Sequence, residues 1–182
     1  MPARLTASTS FAVTPPPAHA WMLLVALGGF MPLAIIGGLW LASDGVPTSG
    51  ILPALAIIPL VQGFMLAALA RRSVQFHDGV LDVRAAIYRK RVAVAELDLQ
   101  RARVIDLQEH TELRPVLKAN GMSVPGFHVG HFRLRQKLGK AFCLLTDRRR
   151  VLVLPARDGT SKLLLSLEQP QALLEALRAG RG

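Results

Sequence analysis

Trp21–Leu41 reads WMLLVALGGFMPLAIIGGLWL and Ile51–Ala70 reads ILPALAIIPLVQGFMLAALA; neither run contains a formal charge. The first has 21 residues and the second 20. A helix rises about 1.5 Å per residue and the hydrocarbon core of a bilayer is roughly 30 Å thick, so each run just spans it. The link between them, Ala42–Gly50, is rich in turn formers and carries Asp44 as its only charge. Two spans joined by a short link predict a transmembrane helical hairpin, with both ends of the chain on one side. Arg71-Arg72 follow the second span directly, whereas the link has no basic residue. Basic residues close to a span stay on the cytoplasmic side. The expected topology therefore has both termini cytoplasmic and residues 42–50 outside. A secretory signal peptide fits poorly, because Arg4 is far from the apolar run, the run is long and a second follows at once. A buried helical pair in a soluble protein fits poorly too, since nothing else in the chain could cover two such helices.

The charge is not spread evenly. Arg4 and Asp44 are the only charges in residues 1–70 and cancel, so the net +10 of the chain lies entirely beyond residue 70. A basic domain tethered to a cytoplasmic leaflet faces anionic lipid, where each nearby Lys or Arg contributes about 1 kcal/mol of attraction. Nucleic acid is the other usual partner of a basic domain, and it is disfavoured here because tethering already accounts for the charge. Within the spans, Pro32 and Pro59 are expected at matching depth, where each frees a carbonyl and can kink its helix. Gly29, Gly37 and Gly38 are expected to let another helix approach closely. The spans have no ionisable side chain, and Gln62 is their only amide. That argues against a pump or transporter.

Residues 1–18, with the Pro15-Pro16-Pro17 run, read as a flexible tail. After Arg71 the pattern changes to period two. Val74–Phe76 and Val80–Val83 flank a turn at His77-Asp78-Gly79, and Ile87–Leu97 reads as a further strand. Arg101–Leu107 is a shorter candidate, and Thr111–Val124 is ambiguous between a helical turn and a loop. Val129–Gln136, Ala141–Thr146, Val151–Leu154 and Lys162–Leu167 alternate clearly, with turns between them. Pro170–Ala179 becomes helical in period, with Leu173, Leu174 and Leu177 on one stripe, Pro170 in the first turn and Gly180 as the stop. About seven strands and one helix predict a single antiparallel sheet that curls on itself, with the helix over its open end.

This order of parts resembles a bacterial membrane-anchored pleckstrin-homology-like (PH-like) protein. The resemblance is carried by Gly121, Pro125-Gly126, Gly130 and Phe132 in the stretch Leu117–Phe132, by Thr146-Asp147, and by Ser166 before the last helix. It implies a two-helix transmembrane hairpin followed by an all-β PH-like curled sheet or barrel with a C-terminal helix. The expected divisions are a tail over 1–18, the hairpin over 19–72 and a cytoplasmic PH-like domain over 73–182. The family pattern brings no catalytic residues and no cofactor. Joined to the hairpin and the basic charge, the reading is of an inner-membrane, non-enzymatic module that binds a protein partner, anionic lipid headgroups or both.

The densest basic groups are Arg89-Lys90-Arg91 and Arg148-Arg149-Arg150, which are the expected lipid-facing residues. Arg133, Arg135, Lys137 and Lys140 would enlarge the patch if they share its face. Two alternatives come from other classes. An enzyme would need Cys143, the only cysteine, beside a histidine, or a metal held by His77, His128 and His131. His128 and His131 are three apart and so on opposite faces of a strand, and no HExxH pattern supports a metal. Cys143 should face away from Phe142 and Leu144, as a surface or helix-covered thiol. An oligomeric transport component is the third reading. Gly126–Gly130 lacks the spacing of a phosphate loop, and its glycines are expected to set a bend or bulge.

Overall fold

The computed structural model describes residues 9–42 and 48–180. Residues 1–8 of the expected tail and residues 43–47 of the expected external link lie outside the described residues. From Thr9 onward the tail is not a tail. Strand β1 (Thr9–Phe11) pairs antiparallel with β2 (Arg72–His77), and Val13 bridges to Leu167. The segment reaches partners on the far side of both spans, so local pattern gave no sign of it.

Helices α1 (Ala18–Ala42) and α2 (Thr48–Ala70) are both long and apolar enough to cross a membrane, and the chain buries almost none of their apolar length. A π-turn interrupts α1 over Ala26–Phe30, just before Pro32. Proline cannot donate to the carbonyl four residues back and its ring crowds that carbonyl, so the helix widens there. Gln62 of α2 fills the distorted region. Its Nε2 donates to the Leu24 carbonyl at 3.2 Å, and its side chain packs on Gly28 and Gly29. The close approach expected of the glycines is therefore made at Gly28–Gly29. Among the described residues, nothing comes within 4 Å of where a Cβ on Gly37 or Gly38 would stand.

Beyond α2 the chain builds two sheets where one was expected. Sheet 1 is antiparallel in the order β1-β2-β3-β4, with β3 at Val80–Ala85 and β4 at Tyr88–Ala93. Sheet 2 has the order β5-β9-β10-β8-β7-β6. Its strands are β5 (Arg103–Ile105), β6 (Pro115–Val124), β7 (Phe127–Leu134), β8 (Lys140–Leu145), β9 (Val151–Pro155) and β10 (Ser161–Ser166). The sheet is mixed, because β10 inserts between β9 and β8 and runs parallel to β8. The ambiguous stretch 111–124 resolves into a 3₁₀ turn at Thr111–Leu113 followed by the edge strand β6. Two register shifts in β6 spoil its alternation. Gly121 and Gly130 face each other across β6 and β7, and Gly130 has φ +111°. A Cβ on Gly121 would run into the Val129 carbonyl, so backbone crowding calls for glycine here.

Two cores result. The larger lies between the sheets and takes Val74, Leu81 and Val83 from sheet 1, and Phe127, Phe142, Leu154 and Leu165 from sheet 2. Helix α3 (Pro170–Ala179) closes it with Leu173, Leu174 and Leu177, the stripe expected from the sequence. Leu69 of α2 is part of this core, and Trp21 and Leu24 of α1 pack against it. The second core covers the other face of sheet 2, where Ile105, Leu107 and Leu113 pack with Phe132, Leu134 and Cys143. The helical pair thus joins the β domain by packed contacts, with only Arg71 between α2 and β2.

Candidate functional site

One end of the β domain touches the paired apolar helices. The amide of Ala86, in the β3–β4 turn, donates to the Arg71 carbonyl at 2.8 Å, which places that turn at the end of α2. The β6–β7 turn, Pro125-Gly126, brings Gly126 against Pro17 and His19 at the start of α1. Strand β7 leaves from this end and His128 pairs with Leu145, so β8 returns to it. Ser166 pairs with Val151, so β9 begins there and β10 ends there. The β8–β9 crossover, residues 146–150, therefore lies on the end nearest the paired helices.

This crossover must pass over β10, and two side chains shape it. The Asp147 Oδ1 accepts the amides of Arg148 at 2.6 Å and Arg149 at 3.2 Å. The Ser166 hydroxyl donates to the Asp147 carbonyl at 2.8 Å and accepts its amide at 3.3 Å. Arg148, Arg149 and Arg150 are all exposed, and no ion pair engages them among the described residues. Arg150 reaches the amide oxygen of Gln171 at 3.5 Å. Beside them, His128 accepts or donates a 2.7 Å hydrogen bond with Ser123. Burial and then the charge of Arg148 lower its pKa from the ordinary value.

The other basic triplet is split by its strand. Arg89 and Arg91 lie on the outer face of sheet 1, opposite Arg84 and Asp82 respectively. Asp82 has a side chain only 2% exposed, yet it faces away from the core. Three guanidiniums cover it: Arg89 through Nε at 2.9 Å, Arg84 at 3.2 Å and Arg91 at 3.5 Å. The Arg89 hydrogen bonds, outweighing burial, hold the carboxyl well below its usual pKa. Lys90 pairs with Val83 and so points to the opposite, inter-sheet side. The structure does not gather the six candidate residues into one patch. Arg133 and Lys140 pair with each other at the remote end of sheet 2, and Lys137 sits in the turn between them. Asp82 escaped sequence reasoning, although an acidic residue inside an apolar strand, with arginines two, seven and nine residues on, was the available signal.

The chemistry candidates also separate. Cys143 faces away from Phe142 and Leu144 as expected, but it is fully buried in the second core. It is neither a surface thiol nor helix-covered, because β5 and the segment after it close over that face. Burial pushes its pKa far up, which disfavours the reactive thiolate. His128 stacks edge-on to Phe132 and His131 edge-on to Phe142, rings that belong to different cores. No group of three metal-ligating side chains occurs among the described residues.

A family model described as Bacterial PH domain matches residues 74–180. No curated protein and no solved structure gives a match. The matched stretch covers more than half of the chain and holds β2 to β10 and α3, including the Ser166–Asp147 clamp and the facing pair Gly121–Gly130. With two apolar helices ahead of this β-rich region, the chain belongs to the bacterial PH domain family.

Proposed function

We propose that the protein is an inner-membrane-anchored, non-enzymatic PH-like module with both termini cytoplasmic, whose anchor-proximal end meets anionic headgroups while its other faces serve a protein partner. One observation carries the lipid half of this reading: Arg148, Arg149 and Arg150 project from the same end that packs on the start of α1 and the end of α2. Arg71 and Arg72 stand at that end too. Of the six basic residues singled out from the sequence, these three crossover arginines fit the role best. Arg89 and Arg91 are engaged by Asp82, and Lys90 points between the sheets. Two spans anchor the chain without help, so headgroup contacts would orient the domain. The edge strand β6, with Val116 and Leu117 exposed, is a face left free for a partner.

The test uses the whole chain in nanodiscs, because β1, Trp21 and Leu69 belong to the folded domain. Hydrogen exchange of residues 146–150 is compared in neutral and phosphatidylglycerol-containing discs, at low and high salt. Slower exchange in the anionic discs, lost at high salt and in an R148Q/R149Q/R150Q variant, is expected. Exchange indifferent to lipid charge would remove the headgroup role. For topology, Ala3→Cys and Thr48→Cys are made with Cys143 replaced and labelled from outside intact cells. Labelling at residue 3 but not at residue 48 would reverse the orientation.

A further inference from the structure

A second cationic site lies at the opposite end of the domain. A cleft of about 750 Å³ opens between the sheets at the side where the edge strands β4 and β6 face each other. Its floor is apolar and includes Leu97, Phe142, Leu154 and Leu163. Five cations line it, Lys90, Arg133, Lys140, Arg157 and Lys162, against two carboxylates, Glu96 and Asp158. None of the five is in an ion pair among the described residues. Arg133 donates to the Leu138 carbonyl at 3.3 Å and Lys162 to the Gln136 amide oxygen at 3.4 Å, both neutral acceptors. Asp158 is occupied by Thr160, which donates its hydroxyl at 2.7 Å and its amide at 3.0 Å.

Register turns Lys90, Arg133 and Lys140 to the inter-sheet side, while Lys162, paired with Ala141, starts from the other face of sheet 2 and Arg157 from the turn after β9. Lys90 shares its face with Val83, and Arg133 and Lys140 share theirs with His131 and Phe142. Like charges gathered over an apolar floor repel one another and gain from an anion that also covers the floor. The place favours a soluble ligand over a headgroup. Arg133 is six residues along β7 from Phe127 at the anchor-proximal end, about 20 Å at the rise of a strand. A field from the bilayer is screened over about 10 Å at 0.1 M salt. We infer that the inter-sheet cleft is a binding site for a soluble organic anion, a carboxylate or phosphate carried on a small apolar body. The site is independent of the headgroup contacts proposed for Arg148–Arg150.

The chain's lysines allow a direct test. There are five: Lys90, Lys140 and Lys162 line the cleft, and Lys118 and Lys137 are exposed outside it. Pyridoxal 5′-phosphate, an aromatic aldehyde bearing a phosphate, forms imines with lysines that borohydride reduces to stable amines. It is applied to the full chain in neutral nanodiscs, and the labelled lysines are mapped by mass spectrometry. At limiting reagent, the cleft lysines should label at least tenfold more than Lys118 and Lys137. Phenyl phosphate should protect them at roughly a tenth of the concentration that inorganic phosphate needs, because only it covers the apolar floor. An R133Q/R157Q variant, which keeps every lysine, should lose about tenfold in cleft labelling; R148Q should lose nothing. A thermal melt matched to the parent confirms that the variant folds. Uniform labelling of all five lysines, or equal protection by the two phosphates, overturns the site. Protection by phosphatidylglycerol placed in the disc would make it a headgroup site, and protection by an acidic peptide alone would make it a protein contact; either result overturns the soluble-anion assignment.

Discussion

Arg89-Lys90-Arg91 and Arg148-Arg149-Arg150 look alike as sequence and behave differently as structure. The first triplet lies on a strand, so alternation sends its members to opposite faces. Two close over Asp82 and the third enters the inter-sheet cleft. The second lies on a crossover held by Asp147 and Ser166, and its three side chains stay exposed without an acidic partner among the described residues. Density of basic residues therefore does not measure free charge. What a cationic run offers a membrane depends on the element that carries it and on carboxylates that are distant in sequence or hidden by the pleat.

The contrast predicts opposite effects of mutation. Removing Asp82 leaves three guanidiniums crowded on one face with no counter-charge. Breaking a buried pair costs 3–5 kcal/mol, but these arginines are about half exposed and can rehydrate, so Asp82→Ala should cost about 2–3 kcal/mol. Unfolding in nanodiscs measures this, and a loss below about 0.5 kcal/mol would make the cluster an ordinary solvated surface. The R148Q/R149Q/R150Q variant should do the reverse. Its stability in neutral discs should stay within about 0.5 kcal/mol of the parent. Its gain from anionic lipid should fall by up to about 1 kcal/mol for each arginine removed.

Much of the fold was legible because its signals are local. The spans, the alternating strands from Val129 onward and the Leu173–Leu177 stripe each lie within one continuous stretch of about 20 residues or fewer. The features that escaped depend on distant partners. Thr9–Phe11 becomes a strand only because β2 passes beside it. β6 is bulged and exposed along its edge, so its pattern never becomes clean. The strands divide into two sheets, and β10 enters between β9 and β8 to make a parallel pair, choices that periodicity does not encode. The Ser166–Asp147 bond shows why two positions that marked the family belong together: one strand end fixes the crossover of another.

Ser166 is fully buried, and its hydroxyl makes two hydrogen bonds to the Asp147 backbone. Ser166→Ala leaves a carbonyl and an amide unpaired at the base of the arginine crossover, at a cost of about 1–2 kcal/mol. Exchange of residues 146–150 should quicken in neutral and anionic discs alike, while the Asp82 cluster keeps its protection. Slower exchange in anionic than in neutral discs should shrink as well, because a loosened crossover no longer presents the three side chains together. If Ser166→Ala changes neither rate, Asp147 and the flanking strands hold the crossover without Ser166.

The smallest effect separates the two triplets by pH. Asp82 has a folded-state pKa depressed by its arginines, so its contribution is complete above the unfolded value and is lost as pH falls through the folded one. With an unfolded aspartate near pKa 4, the folded chain keeps the carboxylate ionised while the unfolded chain takes up a proton. Stability from this source should therefore drop by about 0.7 kcal/mol between pH 6 and pH 3.5, and more steeply below. Asp82→Asn has no such carboxylate, so the stability gap between parent and variant should narrow by that amount over the same range. The crossover variant R148Q/R149Q/R150Q keeps Asp82, and its gap to Asp82→Asn should narrow as the parent's does. A gap that stays constant down to pH 3.5 would mean that Asp82 titrates alike in the folded and unfolded chain, and that its three arginines are neighbours without being partners.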